Sequence, residues 1–188
     1  GERISEQGVE INRFRGIPYA QPPVGKLRFR KPRPADSWNQ PLNATKEPEE
    51  CFQVYTPEAH GGSEDCLYLS IWSPNVQVTN ESMNLKPVLF WIHGGSLIYG
   101  SGIDKYSRNA GTLANMADCV VVAINYRLGT LGFLYSDAVD EVKGNQGLWD
   151  QTQALRWVVE NIRHFGGDPK QITIMGHSAG SWSVSTLI

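Results

Sequence analysis

Residues 165–180 of the chain read FGGDPKQITIMGHSAG, and this stretch predicts a strand, a sharp turn and a helix in that order. The apolar run over 172–175 has strand length and β-branched content, and Asp168-Pro169 before it indicates a turn. Residues 176–180 read GHSAG and match G-x-S-x-G, the pattern of a serine exposed between a strand and a helix. These five residues alone would fit a plain turn about as well, so the flanking elements favour the nucleophile elbow.

A serine in such a turn has the surroundings of a nucleophile. Glycine is needed at 176 and 180 because side chains there would clash with the neighbouring strand and helix. The N-terminus of the following helix favours negative charge close to the serine. We therefore predict that Ser178 is the nucleophile of an acyl-transfer reaction.

Strands and helices alternate along the chain. Apolar runs of strand length occur at residues 67–72, 88–92, 120–124 and 172–175. A helix is predicted over residues 148–164, ended by Gly166-Gly167. Its apolar face is predicted to contain Leu148, Leu155, Val158, Val159 and Ile162. This order predicts an α/β fold with a parallel sheet, and residues 1–188 contain no domain boundary.

The composition favours a globular enzyme over a nucleic-acid or membrane protein. Of the 188 residues 40% are hydrophobic, enough for one packed core. Seventeen basic and nineteen acidic residues give a net charge of −2, which gives no electrostatic reason to expect a nucleic-acid partner or an anionic membrane surface. No apolar run approaches the roughly 20 residues of a membrane span. We expect no cofactor and no metal ion, and the chain resembles a segment of a longer protein.

A second glycine-rich turn follows the strand predicted at 88–92. It reads His93-Gly94-Gly95-Ser96, and its small residues let backbone N–H groups approach a substrate oxygen. Alone, this motif would also fit a simple strand-end turn. With the elbow downstream, it is predicted to be the oxyanion loop of the same site.

The three cysteines are predicted to form one disulfide and one free thiol. Cys51 and Cys66 flank a loop rich in Gly and Glu, and a bridge between them would contribute roughly 3 kcal/mol in the chain-entropy model. Cys119 lies in an apolar run and is predicted to be a buried thiol. The alternative is that all three are free.

Two sequons favour a secreted protein. They begin at Asn43 and Asn80, each in a polar stretch where a glycan could project into water. Glycosylation and a stable disulfide both require the secretory compartment. We therefore expect an extracellular protein whose signal peptide was removed or not included.

Over essentially its whole length the chain resembles the type-B carboxylesterase and cholinesterase family. The resemblance lies in the stretch at 165–180 and in FRGIPYA at 14–20, PPVG at 22–25, EDCLYLSIW at 64–72, NYRLG at 125–129 and GNQG at 144–147. It implies an α/β-hydrolase fold, with residues 1–188 as the N-terminal portion of a mostly parallel central sheet flanked by helices.

The same resemblance implies the roles of individual residues. Ser178 would be the nucleophile, and the N–H groups of Gly95, Ser96 and Ala179 would form the oxyanion hole. Cys51–Cys66 would be the family's first disulfide, with Arg28 paired to Glu64 nearby.

The rest of the family's catalytic triad is expected outside these residues. Its acid and its general-base histidine lie well beyond the elbow, so the segment alone is expected to be inactive. No local histidine is expected to replace the base. His177 should point away from the Ser178 hydroxyl, His93 belongs to the oxyanion loop, and His60 and His164 lie in a loop and at a helix end.

Three departures from the family pattern bear on function. His177 stands where the family usually has Glu, and Ser96 stands at the third glycine of the oxyanion run, where its Cβ could reduce activity or acyl size. The loop between Cys51 and Cys66 has no tryptophan to hold a quaternary ammonium, which disfavours a cholinesterase.

The preferred hypothesis is a carboxylesterase that hydrolyses small to medium carboxylic esters through Ser178 and an acyl-enzyme. The alternative is a non-catalytic adhesion-type member of the same fold, consistent with Ser96. A lipase acting at an interface ranks lower, because no apolar lid is evident.

Overall fold

The computed structural model describes residues 1–56, 59–74, 84–103, 109–139 and 142–188. The strands in these residues are β1 Glu2–Glu6, β2 Val9–Pro18, β3 Gln53–Thr56, β4 Ala59–Gly61, β5 Tyr68–Pro74, β6 Lys86–Ile92, β7 Val120–Ile124 and β8 Gly167–Gly176. The helices are α1 Ala110–Met116, α2 Gly129–Phe133, α3 Gln146–Asn161 and α4 Ala179–Leu187, with 3-10 turns at Gly25–Leu27 and Ile162–Phe165. None of the described helices combines the length and apolarity needed to cross a bilayer.

Six strands form one mixed sheet in the order β1-β2-β5-β7-β6-β8. β6 is parallel to β7 and β8, whereas the other three neighbouring pairs are antiparallel. The α/β architecture is confirmed, and the expected parallel arrangement describes the half of the sheet that carries the elbow. β3 and β4 form a separate two-stranded sheet.

Helices cover both faces of β7, the central strand. Val120, Val122 and Ile124 belong to a buried cluster that includes side chains of α3. Val121 and Ala123 face the opposite side and pack with side chains of α1. Burial on both faces explains why this strand is a continuous apolar run and was predicted correctly.

The β1–β2 hairpin was not predicted, because charged residues interrupt its apolar pattern. Its turn places Gln7 at φ 53° and Gly8 at φ 81°, the paired positive angles of a two-residue hairpin turn. Glu2 accepts from Arg13 at 3.0 Å and from Arg15 at 2.8 Å across the strands. A half-exposed antiparallel strand alternates polar and apolar residues, so a search for continuous apolar runs overlooks it.

The long predicted helix is confirmed, but its buried face differs. α3 is followed by the 3-10 turn, and Gly166 at φ +84° ends the helical path. Val158 is buried as predicted, whereas Val159 is 49% exposed. The prediction counted apolar residues alone, but hydrogen-bonded polar residues also occupy the buried face. That face includes Asp150, Gln151, Ala154 and Trp157.

The turn predicted at Asp168-Pro169 lies inside β8 instead of before it. The register between β6 and β8 shifts between Gly167 and Ile172, which leaves this stretch outside the regular ladder. Asp168 Oδ1 accepts the N–H of Lys170 at 2.9 Å. This hydrogen bond is the main reason that the pKa of the Asp168 carboxyl lies below its ordinary value.

The predicted cysteine chemistry is confirmed. Cys51 and Cys66 form a disulfide with their Cα atoms 4.9 Å apart. Cys119 is a buried free thiol, and burial raises its pKa. Arg28 pairs with Glu64 beside the disulfide, its Nη2 donating at 2.7 Å, as the family resemblance implied.

Candidate active site

Ser178 lies at the junction of β8 and α4, in the turn that the sequence predicted. Only His177 and Ser178 separate the two elements. Ser178 has φ 55° and ψ −122°, a conformation that residues with a side chain rarely adopt. It is exposed, and within the described residues its Oγ atom makes no hydrogen bond. Within the described residues, the hydroxyl is therefore neither buried nor hydrogen-bonded.

Two glycines allow this turn to pack on β6. A Cβ at Gly176 would lie 2.4 Å from the carbonyl carbon of Gly180. A Cβ at Gly180 would lie 2.2 Å from the carbonyl oxygen of Ile92, where β6 ends. The His177 N–H donates to that same oxygen at 3.4 Å. The turn thus requires glycine at both positions, for the steric reason given above.

The loop that follows β6 lies directly against the elbow. A Cβ at Gly94 would be 2.6 Å from the His177 carbonyl oxygen and 3.1 Å from the Ser178 Cβ. Because β6 and β8 are parallel neighbours, their carboxyl ends meet at one edge of the sheet. The structure therefore brings together the two glycine-rich turns that lie far apart in the sequence.

Backbone hydrogen bonds close this loop into a tight turn. The N–H groups of Ile98 and Tyr99 both donate to the Gly95 carbonyl at 3.0 Å. A Cβ at Gly95 would lie 1.9 Å from the Tyr99 carbonyl oxygen, so glycine is required there. Ser96 and Leu97 adopt φ of 55° and 62°, a left-handed conformation that costs each of them about 1 kcal/mol.

Within the described residues, several backbone N–H groups at this edge have no protein acceptor. Within the described part of the chain, the N–H groups of Gly95, Ser96 and Ala179 make no hydrogen bond. A buried N–H group without a hydrogen-bond acceptor raises the free energy of the folded state, and Ala179 is only 1% exposed. Such donors suit an oxygen that gains negative charge.

His93 has a structural place at the start of the loop. It is fully buried, and its ring stacks on Tyr126 with the centroids 4.3 Å apart. Its Nδ1 lies 2.8 Å from the Gly94 carbonyl oxygen, and the Tyr126 hydroxyl donates to the His93 carbonyl at 2.9 Å. Burial raises the pKa of the Tyr126 hydroxyl, which keeps it protonated as a donor.

Residues 125–129, which follow β7, form hydrogen bonds with Leu97 and Gly102 further along the same loop. The Gly129 N–H donates to the Leu97 carbonyl at 2.7 Å. The Gly102 N–H donates to Asn125 Oδ1 at 2.8 Å, and Asn125 Nδ2 donates to the Glu49 carbonyl at 3.0 Å. These bonds connect the loop to β7 and to the segment before the disulfide.

A buried ion pair attaches this segment to α3. Arg127 donates to Asp150 through Nε at 2.8 Å and Nη2 at 2.7 Å, and the two side chains are 3% and 0% exposed. The Arg127 backbone N–H also donates to Asp150, and Nη2 donates to the Arg30 carbonyl. Burial raises the pKa of the Asp150 carboxyl, and the Arg127 guanidinium opposes that rise.

Three of the four histidine side chains lie in the described residues. His93 is buried in the stack with Tyr126, His177 is the exposed neighbour of Ser178, and His164 is exposed in the 3-10 turn after α3. The side chain of His60 lies outside the described part. Among the described side chains, no three His, Cys, Asp or Glu residues are grouped so that they could hold a metal ion.

Of the two sequons, only the first lies in the described residues. Asn43 is exposed, and its Oδ1 accepts from the Thr45 hydroxyl at 2.7 Å. Asn80 lies outside the described residues.

Three supporting residues had no predicted role. Asn125 comes directly after the buried run of β7, where a polar side chain at a strand end often indicates a site. Asp150 precedes Ala154 by one helical turn and lies on the buried face of α3, but a charged residue gives no signal of burial in a search for apolar periodicity. Gln53, whose contacts are described below, has no signal beyond its closeness to Cys51.

A family model described as the carboxylesterase family matches residues 1–188. The chain belongs to the carboxylesterase family. Venom carboxylesterase-6 of Apis mellifera is 50% identical over 91% of the chain and 30% of its own length. The carboxylic ester hydrolase of Bombus ignitus is 47% identical over 97% of the chain and 32% of its own length. The acetylcholinesterase of Leptinotarsa decemlineata is 42% identical over 95% of the chain and 32% of its own length.

Solved carboxylesterase structures share the fold of this family member. A thermophilic PNB esterase superposes with a TM-score of 0.85 and 39% identity, covering 97% of this chain and 38% of that one. The carboxylesterase of Geobacillus stearothermophilus gives a TM-score of 0.84 and 44% identity, covering 97% of this chain and 36% of that one. The α/β-hydrolase fold is thereby confirmed. The chain spans about a third of the length of the relatives it matches.

Proposed function

We propose that this chain supplies the nucleophile and the oxyanion hole of a serine carboxylic ester hydrolase. The observation that carries the proposal is the contact between the two turns. Ser178 is exposed in a strained backbone conformation, and the Gly94 backbone packs against it. Membership in the carboxylesterase family and the esterase names of its relatives support ester hydrolysis as the reaction type.

In the proposed mechanism the Ser178 Oγ attacks the ester carbonyl carbon while a general base takes its proton. The carbonyl oxygen becomes an oxyanion that accepts from the N–H groups of Gly95, Ser96 and Ala179. The intermediate collapses, the proton passes to the departing alkoxide, and an alcohol leaves an acyl-enzyme. Water then attacks the acyl-enzyme by the same route, releasing a carboxylic acid and restoring the serine.

The first turn of α4 contributes to this charge stabilisation. Its N-terminal peptide dipoles point toward the site, so their positive end lies near the developing oxyanion. We propose that the base and its acid partner come from sequence outside these 188 residues, because the chain spans only about a third of the length of its esterase relatives.

Labelling with a fluorophosphonate tests the nucleophile directly. The full-length protein should lose activity with one phosphonyl group bound, and mass spectrometry should place that group on Ser178. The Ser185→Ala variant should label normally, because Ser185 is an exposed serine further along α4. A folded protein that remains unlabelled would favour the non-catalytic, adhesion-type alternative.

We also propose that the protein acts outside the cell. The Cys51–Cys66 disulfide is stable only in an oxidising compartment, and the exposed Asn43 can accept a glycan without a steric obstacle from the core. In a secreting eukaryotic host, peptide N-glycosidase should lower the mass of the protein and convert Asn43 to Asp. An unmodified Asn43 in secreted material would remove that part of the proposal.

A further inference from the structure

The end of the oxyanion loop is held by one buried amide outside the loop. Gln53 lies two residues after Cys51 and is 2% exposed. Its Oε1 accepts the N–H of Gly100 at 2.7 Å, and its Nε2 donates to the Gly100 carbonyl at 3.2 Å. The Gln53 side chain therefore pairs with both backbone groups of one residue, as a neighbouring strand would.

The residues just before β3 also hold the Gln53 side chain. Its Nε2 also donates to the Cys51 carbonyl at 3.0 Å and lies 3.3 Å from the carboxylate of Glu50. Glu50 in turn accepts from the hydroxyl of Ser101, the residue after Gly100. The disulfide links Cys51, two residues before Gln53, to Cys66, two residues before β5.

Gly100 contacts the first two residues of the loop, His93 and Gly94. A Cβ at Gly100 would lie 2.6 Å from His93 Nδ1 and 2.7 Å from the Gly94 carbonyl oxygen, so Gly100 packs against the loop's first residues. Its neighbour Tyr99 packs against Gly95 through the Tyr99 carbonyl oxygen. A shift of Gly100 would therefore move Gly94, which contacts Ser178, and Gly95, a proposed oxyanion donor.

We infer that Gln53 is a positioning residue of the proposed oxyanion hole, and that it sets the loop by pairing with Gly100. This inference rests on the proposed function. Stabilisation of an oxyanion depends on donors placed before the reaction starts, and a misplacement of about 1 Å far from the chemistry can cost about 100-fold in rate. Gln53 should therefore affect the transition state more than substrate binding.

The Gln53→Met variant of the full-length protein tests this inference. Methionine keeps the length and approximate volume of the side chain but makes neither hydrogen bond to Gly100. We expect kcat for p-nitrophenyl acetate to fall about 10- to 100-fold with KM nearly unchanged. The affinity for a trifluoromethyl ketone, whose adduct mimics the tetrahedral intermediate, should weaken by a similar factor.

A matched glutamine provides the control. Gln21 donates a single exposed hydrogen bond to Asp36 at 2.7 Å and makes no hydrogen bond to the described residues of the loop, so Gln21→Met should leave all three measured quantities unchanged. A Gln53→Met protein with wild-type kcat and ketone affinity would overturn the inference. So would a loss confined to KM. Absence of Ser178-dependent turnover in the wild type would instead overturn the proposed function.

The Gln53→Glu variant gives a second readout if the methionine variant does not fold. Its carboxylate can accept from Gly100 N–H but would face the Glu50 carboxylate and the carbonyl oxygens of Cys51 and Gly100, which favour its protonated form. Protonation restores a donor, while the nearby buried His93 ring is common to both proteins. The ratio of variant to wild-type kcat should therefore rise as pH falls, and a pH-independent ratio would count against the inference.

Discussion

Replacing Ser178 with alanine should reduce kcat for p-nitrophenyl acetate by about 10⁶-fold, the order of loss seen when a serine nucleophile is removed. The physical reason is that no acyl-enzyme can form without Oγ, so water must attack the bound ester directly. The remaining turnover would come from the oxyanion donors alone. The Gly94–Ser178 contact should survive, because alanine keeps the Cβ that meets Gly94.

The measurement is steady-state turnover by the full-length protein, with Ser185→Ala as the control for serine loss on the same helix. Thermal unfolding of both variants should match the wild type. An active Ser178→Ala protein would place the nucleophile elsewhere. Folded wild-type protein without any turnover would direct attention to a binding or adhesion role.

Replacing Asp150 with alanine should destabilise the protein by about 3–5 kcal/mol. The loss arises because the Arg127 guanidinium, 3% exposed, would remain buried without its carboxylate. Two side-chain hydrogen bonds and the bond from the Arg127 backbone N–H would be lost together. Because this pair attaches the segment that holds the oxyanion loop, turnover should also fall at temperatures where the variant remains folded.

Glu64→Ala is the matched control for this prediction. Glu64 also accepts two hydrogen bonds from an arginine, Arg28, but that pair is exposed. Water and salt screen an exposed pair, so its removal should shift the unfolding midpoint in urea far less. Equal shifts for the two variants would show that burial does not increase the contribution of the Arg127–Asp150 pair to the free energy of unfolding.

The sequence was informative wherever chemistry requires a particular residue type in a short stretch. The strand, the glycines and Ser178 could be predicted together, because the turn allows side chains at few positions. The disulfide was likewise predictable, since only Cys51 and Cys66 flank a loop. Ser96 was expected to disturb the oxyanion run, and the structure accommodates it in a left-handed conformation with its side chain exposed.

The parts that were missed depend on contacts between segments far apart in the chain. The β1–β2 hairpin derives its ion pairs from Glu2 and two arginines, and an apolar pattern does not reveal these. Asp150 and Gln53 are polar residues in buried positions, and hydrophobic periodicity assigns such residues to the surface. Their burial is acceptable only because distant partners satisfy them, and those partners are visible only in three dimensions.

The strand order also determines when the site can form. β6, which ends beside the oxyanion loop, finds its neighbour β8 only after β7 and the helices α1 to α3 have been made. Parallel pairing across so much chain carries a loop-closure cost before it gives any contact in return, so it is expected late in folding. During synthesis the loop after β6 therefore contacts the turn at Ser178 only when nearly all of these residues have emerged, so the two parts of the proposed site come together late.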